Sequence, residues 1–173
     1  GELGTRYFMR DALGIAAGMN EFARQSDIIY MANYAQTVNV IGCIKTNTTH
    51  SVMASTGQVL KLYGNKFRGT PVTITGDTRP FDIAALLNKT SDTLSISVVN
   101  PTWESQTLDL DLADAEADGI AELWSVCGPD DMAYNEPGKP ESVVIRGPES
   151  ISGTREISVE AFSANIIRIP VKK

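Results

Sequence analysis

Cysteine and histidine are scarce in this chain, and each scarcity removes a class of chemistry. The two cysteines, Cys43 and Cys127, lie far apart and match no metal-binding spacing. They read as buried free thiols, with a disulfide as the alternative. The one histidine, His50, sits in Thr48-Thr49-His50-Ser51 with no partner for a triad or a metal set, and reads as a loop residue. No metal and no cofactor is called for. No apolar stretch approaches the ~18 residues of a membrane span, so a membrane partner is not expected. Basic runs are missing too, and 15 basic against 21 acidic residues leave a net charge of −6. Such a chain does not displace phosphate counterions, which disfavours nucleic acid as a partner. The chain opens on Gly1 rather than Met, without a basic-then-apolar signal, so it names no compartment.

What is present is ordinary for a globular protein. Hydrophobic residues make up 42% and charged residues 21% of 173 positions, enough for one core or for a small lobe plus a compact domain. Two grammars divide the chain. From Thr5 to Gln25, apolar residues fall at Phe8, Ala12, Ile15, Met19 and Phe22, with Ala16 and Ala23 alongside: steps of three and four, a helical stripe. Thr5 can cap its start. Gly14 and Gly18 lie one turn apart inside it at a helix-propensity cost of ~1 kcal/mol each, which predicts close approach of a neighbouring backbone.

The run Ile28-Ile29-Tyr30-Met31-Ala32-Asn33-Tyr34-Ala35-Gln36-Thr37-Val38-Asn39 follows at once. It starts as a continuous apolar stretch and turns polar at its far end, with Asn33, Gln36 and Asn39 three apart. Its pattern predicts a strand buried on both faces, whose end carries ligand-contacting groups, as parallel α/β sheets and barrels place them. Val38 to Ile44 is apolar, Lys45 to Ser51 reads as a polar loop, and a second helix is predicted over Thr56 to Phe67, with Val59, Leu60, Leu62 and Tyr63 as its apolar side.

After Gly69 short β-branched segments alternate with turn clusters. Strands are predicted at Pro71–Thr75, Phe81–Leu87, Thr93–Asn100, Gln106–Leu112, Gly119–Cys127, Ser142–Arg146, Glu156–Glu160 and Ala164–Val171. Leu94, Ile96 and Val98 against Thr93, Ser95 and Ser97 give a clear two-residue period. About eight such strands without an intervening helix indicate an antiparallel β-sandwich, jelly-roll-like, so the fold is mainly β. One parallel-type strand between two helices cannot satisfy its own backbone groups, so further barrel strands are expected upstream of Gly1.

Tyr7-Phe8-Met9-Arg10-Asp11-Ala12-Leu13, Ser26-Asp27 and Met31-Ala32-Asn33-Tyr34-Ala35-Gln36-Thr37-Val38-Asn39 together resemble the α-L-arabinofuranosidases of glycoside hydrolase family 51. The likeness continues through Leu62-Tyr63, Arg68-Gly69, Gly128-Pro129-Asp130, Asn135, Pro140 and Ser163-Ala164, with the Ala35-Gln36 block its specific part. The resemblance implies a (β/α)8 barrel followed by a C-terminal β-sandwich. Residues 1–69 would be the terminal helix–strand–helix remnant of the catalytic barrel, and residues 70–173 the sandwich. It implies that Gln36 hydrogen-bonds arabinofuranose in the cleavage subsite, with Asn33 and Asn39 as weaker candidates that brace the loop. Catalysis in that family uses two glutamates at earlier strand ends, as a retaining mechanism requires. Neither is implied in this chain, so no catalytic residue is assigned here and the chain alone is expected to be inactive.

Asn135-Glu136-Pro137 is similar to the Asn-Glu-Pro that carries the acid/base of related barrel glycosidases, but its turn-rich surroundings read as a surface loop. Trp103, Trp124 and Tyr134 can be read as an aromatic sugar platform, or as core and loop packing, the reading favoured here. Asn47-Thr48-Thr49 and Asn88-Lys89-Thr90 fit the glycosylation triplet. The expected parent is a retaining α-L-arabinofuranosidase releasing arabinose side chains from arabinan or arabinoxylan. The rival is a freestanding carbohydrate-binding or structural β-sandwich, which requires micromolar binding of oligosaccharides by the isolated chain; no such binding is expected. An apolar stripe of Phe8, Ile15, Met19 and Phe22 deprived of its barrel predicts self-association.

Overall fold

A computed structural model describes residues 6–113 and 115–172. Helix α1 spans Met9–Arg24 and helix α2 Ser55–Lys66. Between them a short hairpin pairs β1 (Ile44–Thr46) with β2 (Ser51–Met53). The remaining strands are β3 (Thr70–Pro71), β4 (Asp82–Leu87), β5 (Thr93–Asn100), β6 (Gln106–Leu108), β7 (Glu116–Ala117), β8 (Ala121–Cys127), β9 (Val144–Ile151), β10 (Ile157–Val159) and β11 (Ser163–Lys172). The main sheet runs β3-β4-β5-β11-β8-β9, with β7 on the far end of β11, and β6 pairs with β10 in a separate ribbon. Every named pair is antiparallel.

The main sheet is covered on both faces. On one face Ile83, Ile96, Val98, Leu123, Ile167 and Ile169 pack with Leu108, Ile157 and Val159 of the β6–β10 ribbon, making the sandwich core. On the other, Leu86, Val99, Trp124, Val126 and Ile166 receive Met9, Ala12, Leu13 and Ala16 of α1 and Val59, Leu62 and Tyr63 of α2. The alternation of β5 is as its sequence predicts, but Ser95 and Ser97 are buried beneath the helices rather than wet. Their hydroxyls need partners there. Tyr63 Oη and Ser97 Oγ lie 2.5 Å apart, and Tyr63 also donates to Asn20 Oδ1 at 3.4 Å. Asn20, fully buried, in turn donates to Asp82 Oδ1 at 2.7 Å. Arg24 adds the Ile83 carbonyl and the Asp82 carboxylate, so the end of α1 is tied to the start of β4.

Several expectations are corrected. The strand over Ile28–Asn39, expected to be buried on both faces, is an irregular segment that joins no sheet: Ile28, Tyr30 and Met31 are 76%, 97% and 67% exposed. Its backbone has no neighbouring strand to pair with, and its one ladder contact is an isolated parallel bridge from Val38 to Ile44. The buried face of α1 is Met9, Ala12, Leu13, Ala16 and Asn20, one position round from the predicted stripe. Ile15, Met19 and Ala23 flank it and Phe22 is 42% exposed, because the sheet and α2 pack against the neighbouring face. Phe8, not Thr5, is the N-cap, and its N–H donates to the Asp11 carboxylate at 2.7 Å; Thr5 itself lies outside the described residues. No atom stands within 4 Å of a Cβ built on Gly14 or Gly18, so no backbone approaches them. Lys45–Ser51 is not simply a loop but the tight hairpin β1–β2, too short to show alternation.

Candidate functional site

Gln36 lies where the irregular segment runs into a compact turn. The turn is built from the backbone: Ile44 N–H donates to the Thr37 carbonyl at 3.1 Å, Asn39 N–H to Ile44 at 2.8 Å, and Gly42 N–H to Asn39 at 2.5 Å. Gly42 is required, since a Cβ there would stand 2.6 Å from Val38 N. Asn39, at φ +54°, clamps the turn through its side chain, accepting from Thr46 N–H at 2.8 Å and donating to Thr46 Oγ1 at 2.9 Å. It therefore braces the loop.

Three further side chains fasten the turn to the body. Tyr7 Oη donates to the Ile41 carbonyl at 2.9 Å, and Tyr34 Oη lies 3.1 Å from Thr56 Oγ1. Lys45, only 6% exposed, donates from Nζ to the Val40 carbonyl at 2.7 Å and sits 4.6 Å from the Tyr7 ring centroid. Burial lowers the Lys45 pKa and raises that of the Tyr7 phenol, which keeps the phenol a donor. Sequence reasoning missed Lys45 and Tyr7 in this role. A lysine one residue after an apolar run was the available signal.

Against this fixed turn, Gln36 is exposed and, among the described residues, its amide has no hydrogen-bond partner. Asn33 is exposed on the same segment. An amide carries both donors and an acceptor and suits adjacent hydroxyls of a polyol. The structure thus places Gln36 and Asn33 on the unpaired segment and Asn39 inside the turn's own hydrogen bonding.

The other singled-out residues separate cleanly. Asn135 is buried and saturated: it donates to the carbonyls of Met53 (3.0 Å) and Val143 (2.7 Å) and accepts from Ser142 and Val143 N–H at 2.9 and 2.8 Å. Glu136 pairs with Lys139 at 2.8 Å, and that contact holds its carboxyl below the usual range, the opposite of what a general acid needs. His50 is exposed, with Nδ1 2.7 Å from Thr49 Oγ1. Among the described residues no group of three His, Cys, Asp or Glu is placed to hold a metal. Both cysteines are free thiols; Cys127 is buried, its pKa pushed up to about 11 by that burial, while Cys43 is only half-buried. Asn47 and Asn88 of the glycosylation triplets both use their side-chain oxygen to hold local turns.

A family model described as the α-L-arabinofuranosidase C-terminal domain matches residues 1–163. A probable α-L-arabinofuranosidase C of Aspergillus flavus is 29% identical over 157 residues, covering 80% of this chain and 30% of the relative. Its counterpart in Aspergillus niger is 28% identical over 156 residues, with the same coverage of both chains. Among solved structures, the arabinose complex of the Thermotoga maritima α-L-arabinofuranosidase superposes with a TM-score of 0.79 at 23% identity, over 98% of this chain and 40% of that one. A family 51 α-L-arabinofuranosidase from Bifidobacterium longum gives 0.80 at 19% identity, over 97% and 35%. At these identities the structural likeness speaks for the fold. The chain spans less than a third of the length of the curated relatives it matches.

Proposed function

The chain belongs to the C-terminal domain family of the family 51 α-L-arabinofuranosidases, and from that premise we propose that it is the closing portion of a retaining enzyme that releases arabinofuranose side chains from arabinan or arabinoxylan. In the whole enzyme, residues 1–69 complete a catalytic barrel and residues 70–173 form the sandwich beside it. The observation that carries this is the segment over residues 28–36: an apolar run flanked by two packed helices, with no strand pairing and with Ile28, Tyr30 and Met31 in water. A row of open backbone groups of that kind is a strand awaiting neighbours.

Gln36 then contacts the sugar in the cleavage subsite, donating to one hydroxyl and accepting from another. Asn33 lies near the same strand end as a weaker contact. The two carboxyls of a retaining mechanism, about 5–5.5 Å apart, come from earlier barrel strands. This chain supplies binding and no proton transfer. The test is hydrolysis of an aryl α-L-arabinofuranoside by the chain alone and by the chain joined to the polypeptide encoded upstream of it. Activity is expected only in the larger protein. Hydrolysis by the chain alone would contradict its inactivity, and none by the larger protein would contradict the assigned reaction.

A further inference from the structure

The three aromatic residues singled out by the sequence have different fates. Trp124 is buried under Lys66, whose Nζ lies 4.1 Å from its ring centroid. Tyr134 is half-buried, packed edge-on with Phe8 at 5.6 Å between centroids. Trp103 is 74% exposed. That exposure is not the result of a loose loop. Fully buried Asn100 holds the loop from inside, donating to the carbonyls of Glu104 (3.0 Å) and Glu160 (2.8 Å) and accepting from Thr102 N–H and Oγ1. Phe162 N–H donates to the Thr102 carbonyl at 3.1 Å, and the Trp103 ring stands on Phe162 at 4.3 Å and 86°. The indole is therefore packed against Phe162 on a hydrogen-bonded loop, with most of its area in water.

Its surroundings are polar. Glu104 follows it in the chain, and Glu160, drawn in by the same asparagine, pairs with Arg146 Nη1 through both carboxylate oxygens at 3.1 Å. An apolar plate followed by Glu104 in the chain, and resting on Phe162 two residues beyond Glu160, has the two features that sugar recognition uses. The plate takes the C–H face of a ring, and charged groups exchange hydrogen bonds with its hydroxyls. A protein partner would call for a broader apolar patch than one ring.

We propose that Trp103 is a stacking platform on the sandwich for a neutral pentosan chain, separate from the Gln36 segment. The choice of pentosan rests on the function proposed above; the platform itself rests on the loop. One ring gives weak binding, and a polymer offers it many equivalent positions, so it does not require micromolar affinity for short oligosaccharides.

The experiment is native electrophoresis of the chain in gels with and without soluble linear arabinan, alongside tryptophan emission. Native chain is expected to be retarded and its emission to shift to the blue. Trp103→Ala should lose retardation about threefold to tenfold and lose the shift, while Trp103→Phe keeps part of the retardation. Far-ultraviolet circular dichroism of both variants should match the native chain, as the ring contributes little to the core. Absence of retardation in the native chain, or equal retardation of Trp103→Ala, would overturn the platform. A fall in sedimenting mass on Trp103→Ala would overturn it too, by making the ring a contact between copies. These readouts need no hydrolysis, so failure of the proposed reaction leaves them standing, and an active parent with an unretarded chain removes the platform alone.

Discussion

At the scale of single residues, buried polar side chains decide how this chain is held together. Asn135 shows it best: its amide donors and its oxygen serve four backbone groups of two segments, β2 and the approach to β9. Removing it leaves those groups buried and unmatched, each of which is costly. Asn135→Ala is expected to lower stability by about 2–4 kcal/mol in urea unfolding, from two or more orphaned groups. Glu136→Gln next door should shift it by under about 0.5 kcal/mol, since its ion pair with Lys139 is exposed. The triplet Asn135-Glu136-Pro137 could be dismissed as a catalytic motif from its turn-forming neighbours alone. The structural importance of its asparagine could not be read there, because hydrogen bonds across 82 residues to Met53 leave no local pattern. For the same reason Tyr7 left no signal, its Ile41 partner lying 34 residues away, whereas the bracing role of Asn39 came with the family resemblance.

At the scale of elements, periodicity found what packing alone then oriented. Both helices and most of the main strands fall close to their predicted ranges, with Thr93–Asn100 matched residue for residue. Losses occur where the ladder is not local. The Gln106–Leu112 alternation continues past Leu108, yet the ladder stops there because β10 begins opposite it at Ile157, leaving one further bond from Leu110 N–H to the Thr154 carbonyl. Two glycines on α1 and one on α2 make the contrast testable. Gly14 and Gly18 face open space, so Gly14→Ala and Gly18→Ala should each stabilise this chain by about 1 kcal/mol in thermal melts. Gly57 is different: a Cβ would stand 2.5 Å from Met53 Cγ and 2.7 Å from the Cys43 carbonyl. Gly57→Ala should therefore destabilise, by about 1–3 kcal/mol, the usual cost of overpacking. Equal effects at the three positions would show that helix propensity, and not the β1–β2 hairpin, sets the requirement at Gly57.

At the scale of the whole molecule, the helices share one core with the sheet, while the segment between them is left outside it. Apolar side chains such as Ile28, Tyr30 and Met31 in water invite pairing with another copy. Sedimentation equilibrium is expected to show self-association of the isolated chain, relieved by Tyr30→Lys with Met31→Lys; a clean monomer at all concentrations would show that the segment finds cover within the chain. Within the proposed enzyme the same segment is expected to be covered by neighbouring strands, and Gln36 is expected there to meet the sugar. The most direct measurement is kcat/KM for an aryl α-L-arabinofuranoside in that enzyme, native against Gln36→Ala. A loss of about 1–3 kcal/mol in transition-state binding, roughly fivefold to 150-fold, is expected if the amide bonds the substrate hydroxyls. An unchanged kcat/KM would contradict it and remove Gln36 from the sugar pocket.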